Sequence, residues 1–223
     1  MVFRFKCIYT GICCRVSPIT LQSFESIIIS SLSRVFDIKV HMEPGYVVWD
    51  RIGNLYLAIS YILKLNNDGR CPFLTKDNKC IIHSIYKPLI CRSYPYVPRE
   101  VRYLFIERLK LIVPKVEYGL SAKCPVIERH KYLIDKYMDL DPYFISKYMP
   151  NEYKAALEAE SKRTIILNLL SSLWRRGLID LATINRMPPN IRVTNVYNFL
   201  RNYYPNLPYV LGIEEAFRRI KEL

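Results

Sequence analysis

The amino-acid sequence predicts an α+β fold: a cysteine-rich half of short strands and a few helices, followed by a mostly helical C-terminal extension. Three observations carry that expectation. All seven cysteines lie at or before Cys124. Glycine-punctuated runs rich in tyrosine, valine and isoleucine occupy residues 44–65, a composition that suits strands. Beyond Cys124-Pro125 the apolar spacing becomes helical. With 223 residues, 51% hydrophobic and 24% charged, the chain has an ordinary globular composition and length enough to bury a core. There is no internal repeat, low-complexity tract or Gly/Ser linker. The expected division is therefore a metal-binding domain over 1–125 with a helical extension over 126–223 packed on it.

In chain order, residues 7–14 read CIYTGICC, with Gly11 as the bend between Cys7 and the Cys13-Cys14 pair. Ser17-Pro18 has the form of an N-cap followed by proline at the first helical position, and apolar residues at Leu21, Phe24, Ile27, Ile28, Leu32, Val35 and Phe36 predict a helix to Asp37. Between Pro44 and Leu65, YVVWD reads as a strand, while LYLAISYILKL fits either a strand or a short helix. The polar stretch Thr75-Lys76-Asp77-Asn78-Lys79 predicts a tight turn or hairpin that carries Cys71 and Cys80 toward one point. Residues 101–118 alternate in places, and Pro114 argues against a central strand there. Helices are expected over 126–139, over 151–176 with Gly177 as the stop, and over 193–204 and 213–222, with turns at Pro142 and Pro150.

The first residues lack the apolar run of a secretory signal, and no stretch approaches the roughly 18–20 apolar residues of a membrane span. The expectation is a cytoplasmic protein without a membrane partner, in a compartment where clustered thiols bind metal more often than they pair. The formal charge is +13. Residues 1–125 hold 18 Lys+Arg against 9 Asp+Glu, whereas 126–223 hold 15 against 11, so most of the excess accompanies the cysteines. It can offset thiolate charge or attract RNA or another anionic partner.

By spacing the cysteines run C-x5-C-C, C-x8-C, C-x10-C and then Cys124. Thiolate is a soft ligand for zinc and iron–sulfur centres, which need about four converging donors. Neither paired C-x2-C knuckles nor a ferredoxin run is present, so the spacing leaves the metal open. Adjacent cysteines are awkward ligands for one ion, which leaves one of Cys13 and Cys14 for another role or a second metal. The segment Cys71–Tyr96 is therefore half a site. The other half is the N-terminal group, and residues 15–70 must fold back to bring the two together.

The words CIYTGICCR, CPFL, C-x-I-H, KPLICRSYP (where RPLxCRxFP is usual) and a downstream Cys-Pro resemble, over about residues 7–125, the YkgJ-type cysteine-cluster family, described as zinc- or iron-chelating. That family is distantly similar to the flagellin lysine N-methylases, in which an iron–sulfur cluster is implicated in methyl transfer. The resemblance implies Cys7, Cys13, Cys14, Cys71, Cys80, Cys91 and Cys124 as the metal set, an iron–sulfur cluster (4Fe–4S) ahead of zinc as cofactor, and Arg92 as a cofactor-binding residue beside Cys91. His83, where the family often has tyrosine, is a candidate extra ligand. Lys87 keeps the charge, but not the fork, of the usual arginine.

Three functional readings follow. One is an iron–sulfur-dependent protein lysine methyltransferase acting on a protein substrate, although the isolated glycines supply no nucleotide-type fingerprint for a methyl donor. The second is a structural zinc protein that binds RNA or a partner through a basic surface, with Tyr94, Tyr96, Arg99, Arg102 and Tyr103 interleaved. The third makes the metal a staple and Trp174-Arg175-Arg176 a partner contact. No catalytic residue is assigned: Asp139, Asp141, Glu158 and Glu160 read as solvated helix charges.

Overall fold

The computed structural model describes residues 4–16, 18–132, 134, 142–184 and 192–223. In chain order the elements are β1 (Ile19–Gln22), α1 (Ser23–Val35), β2 (Met42–Pro44), β3 (Val47–Asp50), β4 (Leu55–Ala58), β5 (Ser60–Leu63), α2 (Leu89–Ser93), β6 (Tyr96–Ile106), β7 (Leu111–Leu120), α3 (Pro125–Arg129), α4 (Pro142–Tyr148), α5 (Pro150–Arg175), β8 (Leu181–Ala182), β9 (Val193–Asn195), α6 (Val196–Arg201), α7 (Leu207–Val210) and α8 (Glu214–Lys221). This is the mixed α+β architecture expected from the sequence. Contacts divide the chain into two interleaved units, 1–19 with 65–101 and 116–160, and 20–64 with 102–115 and 161–223. All seven cysteines belong to the first unit.

In the second unit, α1 starts five residues later than Pro18 suggests. Ile19–Gln22 alternates buried and exposed positions with the period of a strand, and β1 takes them. The helix begins after Gln22, whose N–H is taken by the Glu25 carboxylate (2.9 Å), as in a capping box. Ser17, the predicted cap, lies outside the described residues. Phe24, Ile28, Ile29 and Leu32 are fully buried on one face of α1.

The run LYLAISYILKL resolves into two strands in different sheets. β4 pairs with β3 in register Val47↔Ala58 to Asp50↔Leu55, within a sheet ordered β8-β3-β4-β9, while β5 joins the sheet β1-β5-β2. The turn after β3 is held by Asp50, a buried carboxylate that accepts from the N–H groups of Ile52 (3.2 Å), Gly53 (3.1 Å) and Asp180 (2.9 Å). Asn195 ends β9 and caps α6, which is why the predicted helix over 193–204 begins three residues late. Its amide also donates to the Ser23 carbonyl and the Ser26 hydroxyl (both 2.9 Å).

The first unit has its own apolar cluster, including Phe5, Tyr96, Leu120, Cys124, Ile127, Ile145, Met149 and Ala156. Among the described residues β6 and β7 pair only with each other, as edge strands that tolerate Pro98 and Pro114. Pro142 and Pro150 each open a helix, where a missing N–H costs nothing. α5 matches its sequence prediction and closes in a Schellman motif: Gly177 N–H reaches the Trp174 carbonyl and Leu178 N–H that of Leu173 (both 3.0 Å), with Gly177 at φ +70°. Of the helix expected over 126–139, α3 is one part, and residues 133 and 135–139 lie outside the described residues. Among the described residues no helix is long and apolar enough to cross a membrane.

Candidate metal centre

Two short segments build the site. In the first, Gly11 adopts φ +69° and leads into a 3-10 turn, Ile12–Cys14, fastened by Cys14 N–H to the Gly11 carbonyl (3.1 Å). In the second, Thr75–Lys79 forms the predicted tight turn. Thr75 N–H reaches the Lys79 carbonyl (2.8 Å), the Thr75 hydroxyl takes Lys79 N–H (3.0 Å), Asn78 sits at φ +61°, and Leu74 pairs with Cys80.

These segments clasp each other. Cys71 N–H donates to the Cys14 carbonyl (2.7 Å), and the Arg15 guanidinium donates to the Asn78 amide oxygen. A Cβ on Gly11 would stand 3.1 Å from Asn78 Cβ, so the close approach and the left-handed backbone both call for glycine here.

The clasp brings sulfurs together. Cys13 and Cys14 Sγ are 3.8 Å apart, the Cys71 thiol acts on that of Cys14, and Cys80 lies within electrostatic reach of both Cys13 and Cys14. Mutual contact and burial push these thiols up. Cys13, bonded to Cys14 and desolvated, rises far above the ordinary thiol range. Cys14 is pushed up to about 12 by Cys71 and burial, against the opposing effect of its bond with Cys13. Burial raises Cys80 and Cys124. Lys87 opposes the rise at Cys13 and Cys80, so its ammonium serves the thiol group electrostatically.

The remaining cysteines flank this group. Cys7 is exposed and accepts the Tyr9 N–H (3.4 Å); Cys124 is buried and within electrostatic reach of Cys7 and Cys13. Cys91 is half-buried on α2. All seven are free thiols. Among the described residues no three ligating side chains already converge on one ion position, so coordination requires the sulfurs to close further.

The donor set fits a thiolate-bound metal on two counts. Cationic Lys87 acts electrostatically on Cys13 and Cys80, and two buried polar atoms of this unit, Arg15 Nε and the Tyr94 hydroxyl oxygen, have no hydrogen-bond partner among the protein groups. A family model described as "Putative zinc- or iron-chelating domain" matches residues 6–117, half of the chain, including six of the seven cysteines. The chain belongs to this chelating-domain family. Comparison with curated proteins and with solved structures returns no match. Family and donor chemistry together make the cysteine-bearing unit of this chelating domain a metal binder.

The other predicted residues fare differently. His83 is exposed, its ring edge-on to Tyr9 at 6.1 Å, with its N–H on the Cys80 carbonyl (3.2 Å). Arg92 pairs with Glu158 (2.9 Å), so Glu158 is an ion-pair partner rather than a purely solvated charge, and Glu160 accepts from the Tyr118 hydroxyl (2.6 Å). Of the interleaved tyrosines, Tyr96 is buried and stacked on Tyr118 (4.8 Å), and Tyr103 lies against Tyr46 (4.3 Å). Sequence reasoning noticed Lys87 only as a departure from the family word, and gave Tyr94 and Asn78 no part in the site. Lys87 had a usable signal in its position between Cys80 and Cys91; Asn78 had one in its turn-favouring side chain.

Proposed function

We propose that the chelating domain holds its metal through Cys13, Cys14, Cys71 and Cys80, the adjacent pair serving together, against the expectation from sequence, because their sulfurs stand side by side 3.8 Å apart, with Cys7, Cys91 and Cys124 completing the family's cysteine set around it. The supporting observation is the backbone clasp between Cys14 and Cys71, which joins sulfurs 57 positions apart in sequence at one place. Bound there, the metal would turn buried, proton-holding thiols into charge-balanced thiolates. An iron–sulfur cluster, 4Fe–4S, is the occupant we favour: it takes four thiolates as zinc does, but it also carries sulfide, for which the buried, unpartnered Arg15 Nε–H is a donor.

Zinc is the second reading, and one distance favours it. Sulfurs bonded to one tetrahedral zinc at about 2.3 Å are about 3.8 Å apart, which is the Cys13–Cys14 separation of 3.8 Å. Either occupant needs reduced thiols, which accords with a cytoplasmic setting. Use of the centre in protein lysine methylation rests on the family resemblance alone, and binding of RNA or an acidic partner on the net charge of +13.

Thiol alkylation of the reduced chain with and without bound metal tests the ligand set. Protection of Cys13, Cys14, Cys71 and Cys80 by metal is the expected result. Equal labelling of those four in both states would overturn it.

A further inference from the structure

The sulfurs of Cys13 and Cys14 stand 3.8 Å apart across a single peptide bond. The tight turn Ile12–Cys14 holds that backbone: Cys14 N–H bonds the Gly11 carbonyl (3.1 Å) and Arg15 N–H the Ile12 carbonyl (2.9 Å). Both thiols are free and half-buried, whereas Cys71 is only 5% exposed. A small molecule therefore reaches the pair more readily than it reaches Cys71.

An S–S bond is about 2.05 Å long, so the two sulfurs have only about 1.8 Å to close. The Cα atoms of neighbouring residues, however, are about 3.8 Å apart across a trans peptide, short of the roughly 4.4–6.8 Å that ordinary disulfides span. A bridge between Cys13 and Cys14 is thus within reach but strained. Strained disulfides are the easily reduced ones, which belong to the labile and regulatory class. Bound metal leaves this chemistry open, because a ligating sulfur is a thiolate, the form that attacks a disulfide.

We propose that the Cys13–Cys14 pair is a redox latch on the metal centre, closing to a vicinal disulfide under a low-molecular-weight disulfide such as oxidised glutathione and so releasing the metal. One of the two thiolates attacks a glutathione sulfur and expels one glutathione thiolate, forming a mixed disulfide. The neighbouring thiolate then attacks the protein sulfur of that mixed disulfide and expels the second. Two electrons pass from the pair to the oxidant, and both leaving thiolates take protons from water. Cys71 and Cys80 alone fall short of the four donors of a thiolate site, so the metal leaves. The bond from Cys71 N–H to the Cys14 carbonyl needs no thiol, so the two segments have a backbone tie that does not depend on the pair's redox state. This inference adds regulation to the four-thiolate reading and rests on it.

The test uses the full chain, reduced and loaded with Zn(II) without oxygen, then exposed to rising ratios of oxidised to reduced glutathione. Released zinc is read with a colorimetric indicator too weak to strip the site by itself. Bridges are mapped by trypsin and mass spectrometry after the remaining thiols are alkylated. Cleavage after Lys6 and Arg15 yields residues 7–15, and fragmentation between Cys7 and Cys13 separates a Cys13–Cys14 bridge from one that involves Cys7. The expected result is loss of zinc in step with a Cys13–Cys14 bridge, and recovery of both thiols and of zinc binding on return to reduced glutathione. Zinc retained while exposed Cys7 becomes glutathionylated, or zinc lost with glutathione or a bridge at other cysteines, overturns the latch while leaving metal binding intact. A reduced chain that takes up no zinc or iron overturns the metal reading and the latch together.

Discussion

Cys71→Ser removes one sulfur and leaves the clasp in place, because the bond joining the two cysteine segments runs from the Cys71 N–H to the Cys14 carbonyl and needs no side chain. Cys71 is only 5% exposed and its thiol acts on that of Cys14, so a serine hydroxyl there is both buried and a poor ligand for a soft metal. In the metal-free protein the buried hydroxyl costs about 1–3 kcal/mol if it finds no partner.

The larger effect appears with metal. A structural zinc site supplies roughly 10–16 kcal/mol through four ligands, so one ligand is worth about 3 kcal/mol, or on the order of 100-fold in affinity. At Zn(II) a thousand times the wild-type Kd, metal stabilises the wild type by about 4.1 kcal/mol, and a site 100-fold weaker by about 1.4 kcal/mol. Anaerobic urea unfolding of both proteins, each with and without Zn(II), isolates this difference of about 2.7 kcal/mol. Equal metal-dependent increments in the two proteins would refute the placement of Cys71 in the centre.

Other expectations follow from the same structure. The metal-free protein should lose stability as pH rises: Cys14 is raised from 9.0 to about 12 in the folded chain, so its contribution is complete below about 9 and disappears as pH climbs toward 12. Unfolding under reducing conditions at pH 8 and pH 10.5 measures it, and a metal-free protein no less stable at the higher pH contradicts it. Asp50→Ala strips three N–H groups of a buried acceptor and should cost about 3 kcal/mol or more in urea unfolding; a loss below about 1 kcal/mol would show that water replaces the carboxylate. Gly177→Ala places a side chain at φ +70° with nothing within 4 Å to help or hinder it, and should cost about 1–2 kcal/mol through backbone strain alone. An unchanged midpoint would mean that the end of α5 relaxes freely.

The parts of this molecule that were legible in the sequence are those governed by local chemistry. The turn at Thr75–Lys79 has turn residues at each step, and α5 carries its stop signal in Gly177. The cysteine set itself, and the need for two segments to meet, follow from the preference of soft metals for several converging thiolates. What stayed hidden depends on partners distant in sequence. Ile19–Gln22 has an apolar spacing that suits helix as well as strand, and only pairing with β5 decides for strand. The capping role of Asn195 for α6 is a local signal, but its bonds to Ser23 and Ser26 are not. Within the site, Lys87 acts through space on Cys80, 7 positions away, and on Cys13, 74 positions away, which spacing within a motif cannot reveal.

The central claim is that the cysteine-bearing unit holds a thiolate-bound metal. Elemental analysis of anaerobically purified protein, taken with its ultraviolet–visible spectrum, tests it most directly. The account predicts bound iron with inorganic sulfide and a broad visible absorbance, or, on the second reading, one colourless zinc per chain. A purified, folded chain that contains neither metal and takes up neither on reconstitution would contradict it.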